Sequence, residues 1–372
     1  MKILHFYKSS LPTTMGGTEQ VIHQLARSSS KLGISVDVLS LARQAAPEPL
    51  EMDGYRIYRS KLDFEIASTG VSVSVMSRFA QLAEAADIVH YHYPWPFMDV
   101  VHFATRLRKP SVVTYHSDII RQHGLLKIYR PLQTLFLRSV DKIVATSSNY
   151  FVSSTVLKHF SDKVEVIPIG LDKLAYPQVR PERVKHWHTR FGDRFFLFVG
   201  VFRYYKGLHI LIETAKGIDC PIVLLGSGPI ERELKAQSMA LGLNNVHFLG
   251  VLPEDDKVAL LTLCHGVVFP SHLRSEAFGV SLLEGAMYGK PMISSEIGTG
   301  TSFVNIDAET GLVVPPGDPQ ALRRAIRQLL DQPAAAAAMG ERAQTRYLKY
   351  FTAERMAESY ADLYNRLLST PC

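Results

Sequence analysis

The first half of the chain alternates short apolar runs with longer segments in which apolar residues recur at helical spacing. Several runs are continuously apolar or β-branched, as parallel strands buried on both faces are. The predicted strands are Lys2 to Tyr7, Val36 to Leu41, Ile88 to His92, Ser111 to Tyr115, Lys142 to Thr146 and Val164 to Ile167. Segments such as Glu19 to Leu32 and Ser77 to Ala86 are predicted helices. This alternation indicates βαβ units.

The same alternation starts again after Pro181. The predicted strands of this second series are Phe195 to Val199, Pro221 to Leu225, Val246 to Leu249, Gly266 to Phe269, Pro291 to Ser294 and Gly311 to Val314. Its predicted helices are Leu208 to Lys216, Ile230 to Leu241, Asp255 to Cys264, Val280 to Tyr288 and Pro319 to Leu330. We therefore predict an α/β protein with two doubly wound parallel sheets, and a ligand-binding cleft at the carboxyl ends of their strands.

Breaks in the pattern suggest where one domain ends and the next begins. Pro168, Gly170, Pro177 and Pro181 interrupt regular structure, so 171–189 is predicted to be a linker. The first domain comprises 1–170 and a C-terminal helix at about 352–372, and the second comprises 190–351. The tail from Ala334 to Leu368 is mostly helical in composition.

Composition excludes several classes of protein. The chain has 372 residues, of which 47% are hydrophobic and 20% charged, so it is neither disordered nor fibrous. Its cysteines are Cys220, Cys264 and Cys372, with no CxxC pair, which supports neither a disulfide framework nor a structural zinc site. A soluble enzyme of a reducing compartment is expected.

The sequence predicts a cytoplasmic location. The apolar amino terminus is short and is interrupted by His5 and Lys8, which argues against a signal peptide. The longest apolar stretch, Phe195 to Phe202, is far shorter than a membrane span. The net charge is +6, and most of the excess lies in residues 1–170, where Lys and Arg outnumber Asp and Glu by five. This asymmetry suggests an anionic partner such as a phospholipid surface or a phosphate, and ordinary surface charge is the alternative.

Two motifs of the first half are candidate binding groups. Gly16 and Gly17 follow the first strand and enter a helix predicted to start near Gln20. Glycines there allow a phosphate to approach the helix amino end, although a tight turn needs glycine for its own sake. His116 follows a β-branched run and is placed to hydrogen-bond a sugar hydroxyl or to transfer a proton, although a single histidine is more often structural. His90 and His92 share one strand face, and no third ligand at metal spacing accompanies them.

A basic loop follows the first strand of the second series. Gly200 to Gly207 contains Arg203 and Lys206, a planar fork and a point charge of the kind that hold a pyrophosphate. Such cations stabilise the negative charge that develops on a phosphate leaving group. A generic exposed basic loop is the alternative.

The strongest local signal is the pair Glu276 and Glu284, eight residues apart. The two carboxylates share one face if a helix starts near Phe278, and the amides at Gly279 and Val280 are then free to attract phosphate. Glu284 can accept two hydrogen bonds from a ribose diol. The alternative is an amphipathic helix with solvated carboxylates, which the apolar neighbours of Glu284 make less suitable.

Two further turns have weaker signals. Gly226 begins a strand-to-helix turn that either borders a nucleotide or is purely structural. Val251 and Leu252 follow a strand where backbone atoms can contact a base. The Glu254 to Asp256 run is typical of a helix start, and no Asp-x-Asp occurs, so no metal and no cofactor are predicted.

Taken in order, these motifs resemble those of the retaining sugar-nucleotide glycosyltransferases of family 4, which have the two-Rossmann GT-B fold. The resemblance covers nearly the whole chain. It rests on the GG-x-E of Gly16 to Glu19, His116 in its YHSD context, the loop ending Lys206-Gly207, the turn Gly226 to Pro229, the E-x7-E of Glu276 and Glu284, and the late stretch Thr310 to Asp318.

The resemblance implies a role for each motif. Arg203 and Lys206 would hold the donor pyrophosphate, Glu284 the ribose and Glu276 the transferred sugar. Gly16 and Gly17 would approach the phosphates from the first, acceptor-binding domain, and His116 would face donor sugar and acceptor. The catalytic candidates are His116, Glu276, Arg203 and Lys206. The family usually has Arg directly after the loop glycine, where this chain has Val201, and Arg203 would lie on the same side of an extended segment.

The partners follow from the same resemblance. The stretches Tyr204 to Gly207 and Gly298 to Asn305 are similar to enzymes that build O-antigen or exopolysaccharide from GDP-mannose or GDP-rhamnose. The expected donor is a nucleotide sugar and the expected acceptor a glycan or lipid-linked glycan at the inner face of the cell membrane, with no nucleic-acid partner. The segment Arg121 to Arg138 mixes cations with apolar residues as an interfacial helix does, and a helix packed on the sheet is the alternative.

Three other functions are alternatives to sugar transfer. A dinucleotide-dependent oxidoreductase needs a GxGxxG turn, which neither half has. A sugar-nucleotide epimerase shares the architecture, and an assay for isomerisation without acceptor separates it. A non-catalytic nucleotide-sugar-binding subunit would have lost Glu276, Lys206 or His116, and all of them are present.

Overall fold

A computed structural model describes residues 1–14, 16–66, 69–119 and 123–369, with the backbone alone for 123–125. The chain divides into two compact units. The first unit comprises Met1–Leu171 and Thr352–Cys372, and the second comprises Asp172–Phe351. Each unit is built on a sheet of mostly parallel strands with helices between them.

The first unit has an eight-stranded sheet and a small two-stranded sheet. Its strands are β1 (Lys2–Phe6), β2 (Ser35–Ala42), β3 (Ala46–Met52), β4 (Tyr55–Lys61), β5 (Phe64–Ile66), β6 (Thr69–Val71), β7 (Ile88–Tyr93), β8 (Ser111–Tyr115), β9 (Lys142–Ala145) and β10 (Val164–Val166). The order in the large sheet is β10-β9-β8-β7-β1-β2-β4-β3, and β5 pairs with β6. Its helices are α1 (Gly17–Lys31), α2 (Ser74–Glu84), α3 (Pro96–Ala104), α4 (His123–Ser139), α5 (Ser148–Ser153) and α6 (Thr155–Lys158).

The second unit has a six-stranded sheet in the order β13-β12-β11-β14-β15-β16, with every pair parallel. Its strands are β11 (Phe196–Val199), β12 (Ile222–Leu225), β13 (Val246–Gly250), β14 (Gly266–Phe269), β15 (Met292–Ser295) and β16 (Gly311–Val314). Its helices are α7 (Pro181–Phe191), α8 (Leu208–Ala215), α9 (Glu231–Ala240), α10 (Glu254–Leu263), α11 (Val280–Met287), α12 (Thr301–Val304), α13 (Pro319–Asp331) and α14 (Pro333–Tyr350). The last helix, α15 (Ala353–Ser369), belongs to the first unit.

The prediction of two doubly wound α/β sheets is confirmed, with one addition at the edge of the first sheet. Strand β3 pairs antiparallel with β4. The hairpin was not predicted from the sequence, because Pro47 and Pro49 in β3 argue against a strand and proline is tolerated only at a sheet edge. Its turn is Asp53-Gly54, and both residues have positive φ, as a tight hairpin turn requires.

The segment 171–189, predicted to be a linker, is folded with the second unit except for Leu171, which belongs to the first. It contains a 3₁₀ turn, Lys173–Ala175, and most of α7. Trp187 and Phe191 of α7 join the apolar core of this unit, and the indole N–H of Trp187 donates to Asp256 Oδ1 at 2.9 Å. Within the described ranges, no helix combines the length and apolar character needed to cross a bilayer.

Candidate active site

Lys206 and Glu276 form an ion pair at the carboxyl edge of the second sheet. Lys206 ends the 3₁₀ turn Tyr204–Lys206, and its ammonium donates to Glu276 Oε2. The Ser271 hydroxyl contacts the same carboxylate oxygen at 3.4 Å, and the Lys206 Nζ lies 4.6 Å from the Phe269 ring centroid. Burial disfavours the ammonium, but the Glu276 carboxylate and Tyr205 together outweigh burial and raise the pKa of Lys206 above its ordinary value. The site therefore holds a fixed positive charge beside a carboxylate.

Arg203 precedes this pair in an extended segment. Phe202 is fully buried, and its N–H donates to the Ser227 carbonyl at 2.8 Å, whereas Val201 and Arg203 are exposed. Residues two apart in an extended segment point to the same side. The Arg203 charge opposes the effect of Glu276 and lowers the pKa of Lys206. The arrangement fits the role predicted for Arg203, which stays a prediction.

Gly226 allows two loops of the second sheet to approach each other. Its φ is +134°, and a Cβ at this position would lie 2.0 Å from the Gly200 carbonyl oxygen. No side chain fits there without moving the basic loop. A structural reason therefore suffices to explain Gly226, and its predicted contact with the donor stays a prediction.

Helix α11 begins at Val280, where the apolar pattern predicts it. Gly279 adopts a left-handed conformation with φ +93°, so the helix does not start near Phe278, the start that would place both carboxylates on one helix face. Glu276 consequently lies in the preceding loop, and only Glu284 is helical. Leu282 N–H bonds back to Gly279 O, so the amides of Gly279 and Val280 have no acceptor within the helix. Phe278 is buried beneath them.

Two residues distant in the sequence, which the motifs did not predict, hold the Glu284 carboxylate. Its Oε1 accepts a hydrogen bond from Lys257 Nζ at 2.7 Å and from the Tyr176 hydroxyl at 3.0 Å. Burial disfavours the Lys257 ammonium, but Glu284 and Glu254 outweigh it and raise the pKa of Lys257. Burial and the Glu284 charge both raise the pKa of Tyr176. The Glu284 carboxylate is thus fixed through one oxygen.

Val251 and Leu252 follow β13 at the same edge of the sheet. Val251 is 76% exposed and Leu252 is half-buried. An exposed valine after a parallel strand is compatible with the predicted contact to a base. That contact stays a prediction.

Gly16 and Gly17 lie at the amino end of α1 in the first unit. Gly17 is the first residue of the helix, three residues before the predicted start. The Glu19 carboxylate turns back toward Gly16, where a Cβ would lie 2.4 Å from Glu19 Oε2, and it accepts a hydrogen bond from the Ser9 hydroxyl at 2.6 Å. Gly16 therefore makes room for Glu19. A phosphate contact stays a prediction.

His116 ends a row of buried histidines in the first unit. His92 Nδ1 lies 3.0 Å from His116 Nε2, and His5 Nδ1 lies 2.9 Å from His92 Nε2. Burial lowers the pKa of His5 and of His116 to about 3, and it lowers the pKa of His92 well below its ordinary value. The three imidazoles are therefore neutral at pH 7.

The expectation that His90 and His92 lack a third neighbour at metal spacing is wrong. Strand β1 pairs with β7 so that His5 lies beside His90, and ring nitrogens of His5, His90 and His92 come within 4.8 Å of one another. Hydrogen bonds already occupy five of these six nitrogens, because His90 also contacts Thr114 and Tyr364. The rings are stacked or tilted, with centroids 4.5 to 5.2 Å apart, so their lone pairs do not converge on one point. Hydrogen bonding explains the cluster better than a metal does.

Comparison with known proteins identifies the family. The family model described as "Glycosyltransferase Family 4" matches residues 15–173, and the model described as "Glycosyl transferases group 1" matches residues 180–346. The chain is 59% identical to the D-rhamnosyltransferase WbpZ of Pseudomonas aeruginosa over 353 residues, which cover 95% of this chain and 93% of that protein. The chain is a family 4 glycosyltransferase.

Further similarities agree with this assignment. The glycosyltransferase is 48% identical to the O-antigen chain mannosyltransferase C of Escherichia coli over 370 residues, which cover 100% of both chains. Among solved structures, the sucrose-phosphate synthase of Thermosynechococcus elongatus has a TM-score of 0.82 at 21% identity, with 99% of each chain covered. The fold is GT-B, as predicted. These matches favour sugar transfer over the oxidoreductase and epimerase alternatives.

Proposed function

We propose that this glycosyltransferase moves mannose or a related hexose from a GDP-sugar to a hydroxyl of a glycan or lipid-linked acceptor in O-antigen synthesis. Two relatives at 59% and 48% identity are named as a rhamnosyltransferase and an O-antigen mannosyltransferase. Both sugars are hexoses of closely related shape. We further propose that the anomeric configuration is retained, as the family resemblance implies, and that no metal takes part.

The observation that carries the proposal is the buried ion pair of Lys206 and Glu276 beside the start of α11. A diphosphate leaving group gains negative charge as the anomeric bond breaks. Lys206 and Arg203 would supply positive charge to this group, and the amides of Gly279 and Val280, which have no acceptor within α11, would supply N–H donors. Because Glu276 keeps Lys206 protonated, this charge is present throughout the physiological pH range.

The same edge supplies groups for the rest of the donor. Glu284 has one carboxylate oxygen held by Lys257 and Tyr176, and its other oxygen can accept from a ribose diol. Glu276 would accept from hydroxyls of the transferred sugar, and Val251 and Leu252 would contact the base. In the first unit, Gly16, Gly17 and His116 would contribute from the acceptor-binding domain.

Product analysis tests the proposed reaction. The enzyme is incubated with GDP-mannose, GDP-rhamnose or UDP-glucose and a synthetic lipid-linked glycan. Mass spectrometry identifies the sugar that is transferred. The one-bond NMR coupling between the new anomeric proton and its carbon gives the anomeric configuration. We expect transfer from a GDP-sugar with retained configuration, unchanged by a chelator. Transfer from UDP-glucose alone, or an inverted product, would contradict the proposed donor or stereochemistry.

We also propose that α3 and α4 contact an anionic membrane, in keeping with a lipid-linked acceptor. Of the predicted interfacial segment, Arg121 and Gln122 lie outside the described residues, as do the side chains of 123–125. On the neighbouring helices α3 and α4, Val100, Phe103, Ile128 and Leu135 are exposed apolar residues, between 40% and 80% accessible. Lys127, Arg130 and Arg138 are the exposed charged residues of α4 from 126 onward. Apolar groups rimmed by cations are typical of a surface that binds anionic lipid.

A flotation assay tests the membrane contact. The enzyme and an Ile128→Ser/Leu135→Ser variant are mixed with vesicles that contain or lack phosphatidylglycerol. We expect the wild type to float with the anionic vesicles and the variant to bind about ten-fold more weakly, because two apolar side chains are lost. Leu174→Ser/Met239→Ser, which removes two exposed apolar groups of the second unit, is the matched control. Equal binding of both variants would contradict this surface.

A further inference from the structure

The histidine row of the first unit has one end without a partner. His5 Nε2 is buried and has no hydrogen-bond partner among the described residues, and the side chain as a whole is 1% exposed. At the other end, no hydrogen bond joins His116 Nδ1 to any residue that the structure describes, and His116 retains 8% of its surface. The row therefore runs from a closed end at His5 to an open end at His116.

The missing partner at His5 Nε2 determines which ring nitrogen of His5 carries hydrogen. A neutral imidazole carries one N–H and one bare nitrogen. An N–H buried without an acceptor is rarer in proteins, and costs more, than a bare acceptor without a donor. The hydrogen of His5 therefore lies on Nδ1, which donates to His92 Nε2 over 2.9 Å.

The same rule then fixes the next two rings. Because His92 Nε2 accepts from His5, the hydrogen of His92 lies on Nδ1, which donates to His116 Nε2 over 3.0 Å. Because His116 Nε2 accepts, its own hydrogen lies on Nδ1. The open end of the row is an N–H group.

We propose that His5 and His92 are positioning residues that fix the tautomer of His116, so that His116 Nδ1–H donates a hydrogen bond to a hydroxyl oxygen of the bound sugar and does not act as a base. This inference rests on the proposed function only for the identity of the oxygen. It decides between the two roles that the sequence leaves open for His116, hydrogen bonding and proton abstraction.

The neighbouring His90 provides a matched control. It lies on the same strand as His92, is equally buried, and stacks on His92 with ring centroids 4.5 Å apart. Its nitrogens contact Tyr364 at 2.6 Å and Thr114 at 2.7 Å, outside the row. A change at His90 therefore disturbs the packing without breaking the row.

The tautomer is measured in the free enzyme by ¹⁵N NMR of histidine-labelled protein, with His116 assigned by His116→Gln. We expect hydrogen on His116 Nδ1 in the wild type and in His90→Gln. In His5→Glu, a carboxylate that accepts takes the place of the donor His5 Nδ1, so His92 should carry its hydrogen on Nε2 and His116 should then carry its hydrogen on Nε2. Hydrogen on His116 Nε2 in the wild type, or hydrogen that stays on His116 Nδ1 in His5→Glu, would overturn the proposal.

Substitutions at His92 connect the tautomer to transfer. His92→Asn keeps a side-chain N–H near the place of Nδ1, whereas His92→Phe removes the donor. We expect kcat/KM for sugar transfer to fall about ten-fold in His92→Phe and less than three-fold in His92→Asn, the scale of one hydrogen bond. Equal losses in both would overturn the positioning role.

Ligand titrations separate this inference from the proposed function. GDP-mannose should shift the His116 Nδ1–H resonance, and GDP alone should not, if the acceptor is a sugar hydroxyl. An equal shift with GDP would overturn the sugar contact. If the wild type transfers no sugar from any donor but His116 carries hydrogen on Nδ1, the proposed function fails and the tautomer assignment stands.

Discussion

The two units of this glycosyltransferase present their candidate residues in opposite electrical states. In the second unit, Lys206 pairs with Glu276 and Lys257 with Glu284, and each carboxylate raises the pKa of its lysine. In the first unit, burial lowers the pKa of His5 and His116, and the imidazoles are neutral. A charged site suits a diphosphate, and a neutral one suits hydroxyl groups. A buried side chain therefore stays ionised in this protein where a group of opposite charge is buried next to it, and is neutral where none is.

Acid should unfold the first unit at a higher pH than the second. The folded pKa of His5 and of His116 is about 3, below the ordinary 6.5, and that of His90 and His92 is lowered too. The unfolded chain therefore binds protons that the folded chain does not, so stability is complete above about pH 6.5 and falls as the pH drops toward 3. Each of His5 and His116 costs up to about 1.4 kcal/mol per pH unit within this window.

The two tryptophans report on this difference. Trp95 lies in the first unit and Trp187 in the second, and both are buried. Fluorescence of Trp95→Phe and Trp187→Phe during acid titration follows one unit at a time. We expect the Trp95 signal to change at the higher pH. The reverse order would contradict the neutral-histidine account.

Loss of the Lys206 charge should greatly lower the turnover of the enzyme. In Lys206→Ala, turnover should fall about 10²- to 10³-fold, because the leaving group loses a preorganised cation. The measurement is kcat at saturating donor, with Trp187 emission as a check that the unit is folded. Lys235→Ala is the control, since Lys235 is half-exposed and pairs with Glu231 on the surface of α9. Near-normal turnover of Lys206→Ala would refute the leaving-group role.

Removal of Lys257 should show how strongly the second unit depends on its buried pairs. Lys257→Met leaves the Glu284 carboxylate buried without its cation, and the free energy of unfolding should fall by about 3 kcal/mol. Lys142→Met is the control in the first unit, because its pair with Glu165 is about one-third exposed on both sides and should contribute less than 1 kcal/mol. Urea titration measures both variants. Similar losses in the two would show that burial does not distinguish the pairs.

A positive charge added at Val201 should have a smaller effect, on the KM for the donor. Val201 is 42% exposed and lies on the same side of the extended segment as Arg203. Val201→Arg should lower the KM for the donor about three-fold, as one additional solvent-exposed cation near a phosphate does. Val73→Arg, at an exposed valine of the first unit, should leave KM unchanged. A raised KM for Val201→Arg would place the phosphates elsewhere.

The sequence predicted the second sheet better than the edge of the first. Strands such as β12 and β14 are continuous apolar runs because helices cover both faces, and this pattern is visible without partners. Strand β3 escaped prediction because most of its side chains are exposed or half-buried, and an edge strand needs neither apolar alternation nor all of its amide donors.

The site was predictable only where its residues are near in sequence. Glu276, Gly279 and Glu284 belong to one segment, and a helix start relates them. Lys257 and Tyr176 contact Glu284 from 27 and 108 residues away, and His5 meets His92 across 87 residues. Such contacts depend on which strands lie side by side. Knowing that β1 pairs with β7 would have been enough to predict the meeting of His5 and His90.

The placement of α15 has a consequence for the order of assembly on the ribosome. Tyr364 of this helix contacts His90, and Tyr360 contacts Thr114, so its residues close the interior around the histidines. All of 172–351 is translated before α15 emerges. The second unit can therefore fold completely while the first unit still lacks its last helix. During that interval the imidazoles near β7 are open to water, and a nascent chain stalled before Ala353 would display them to chaperones.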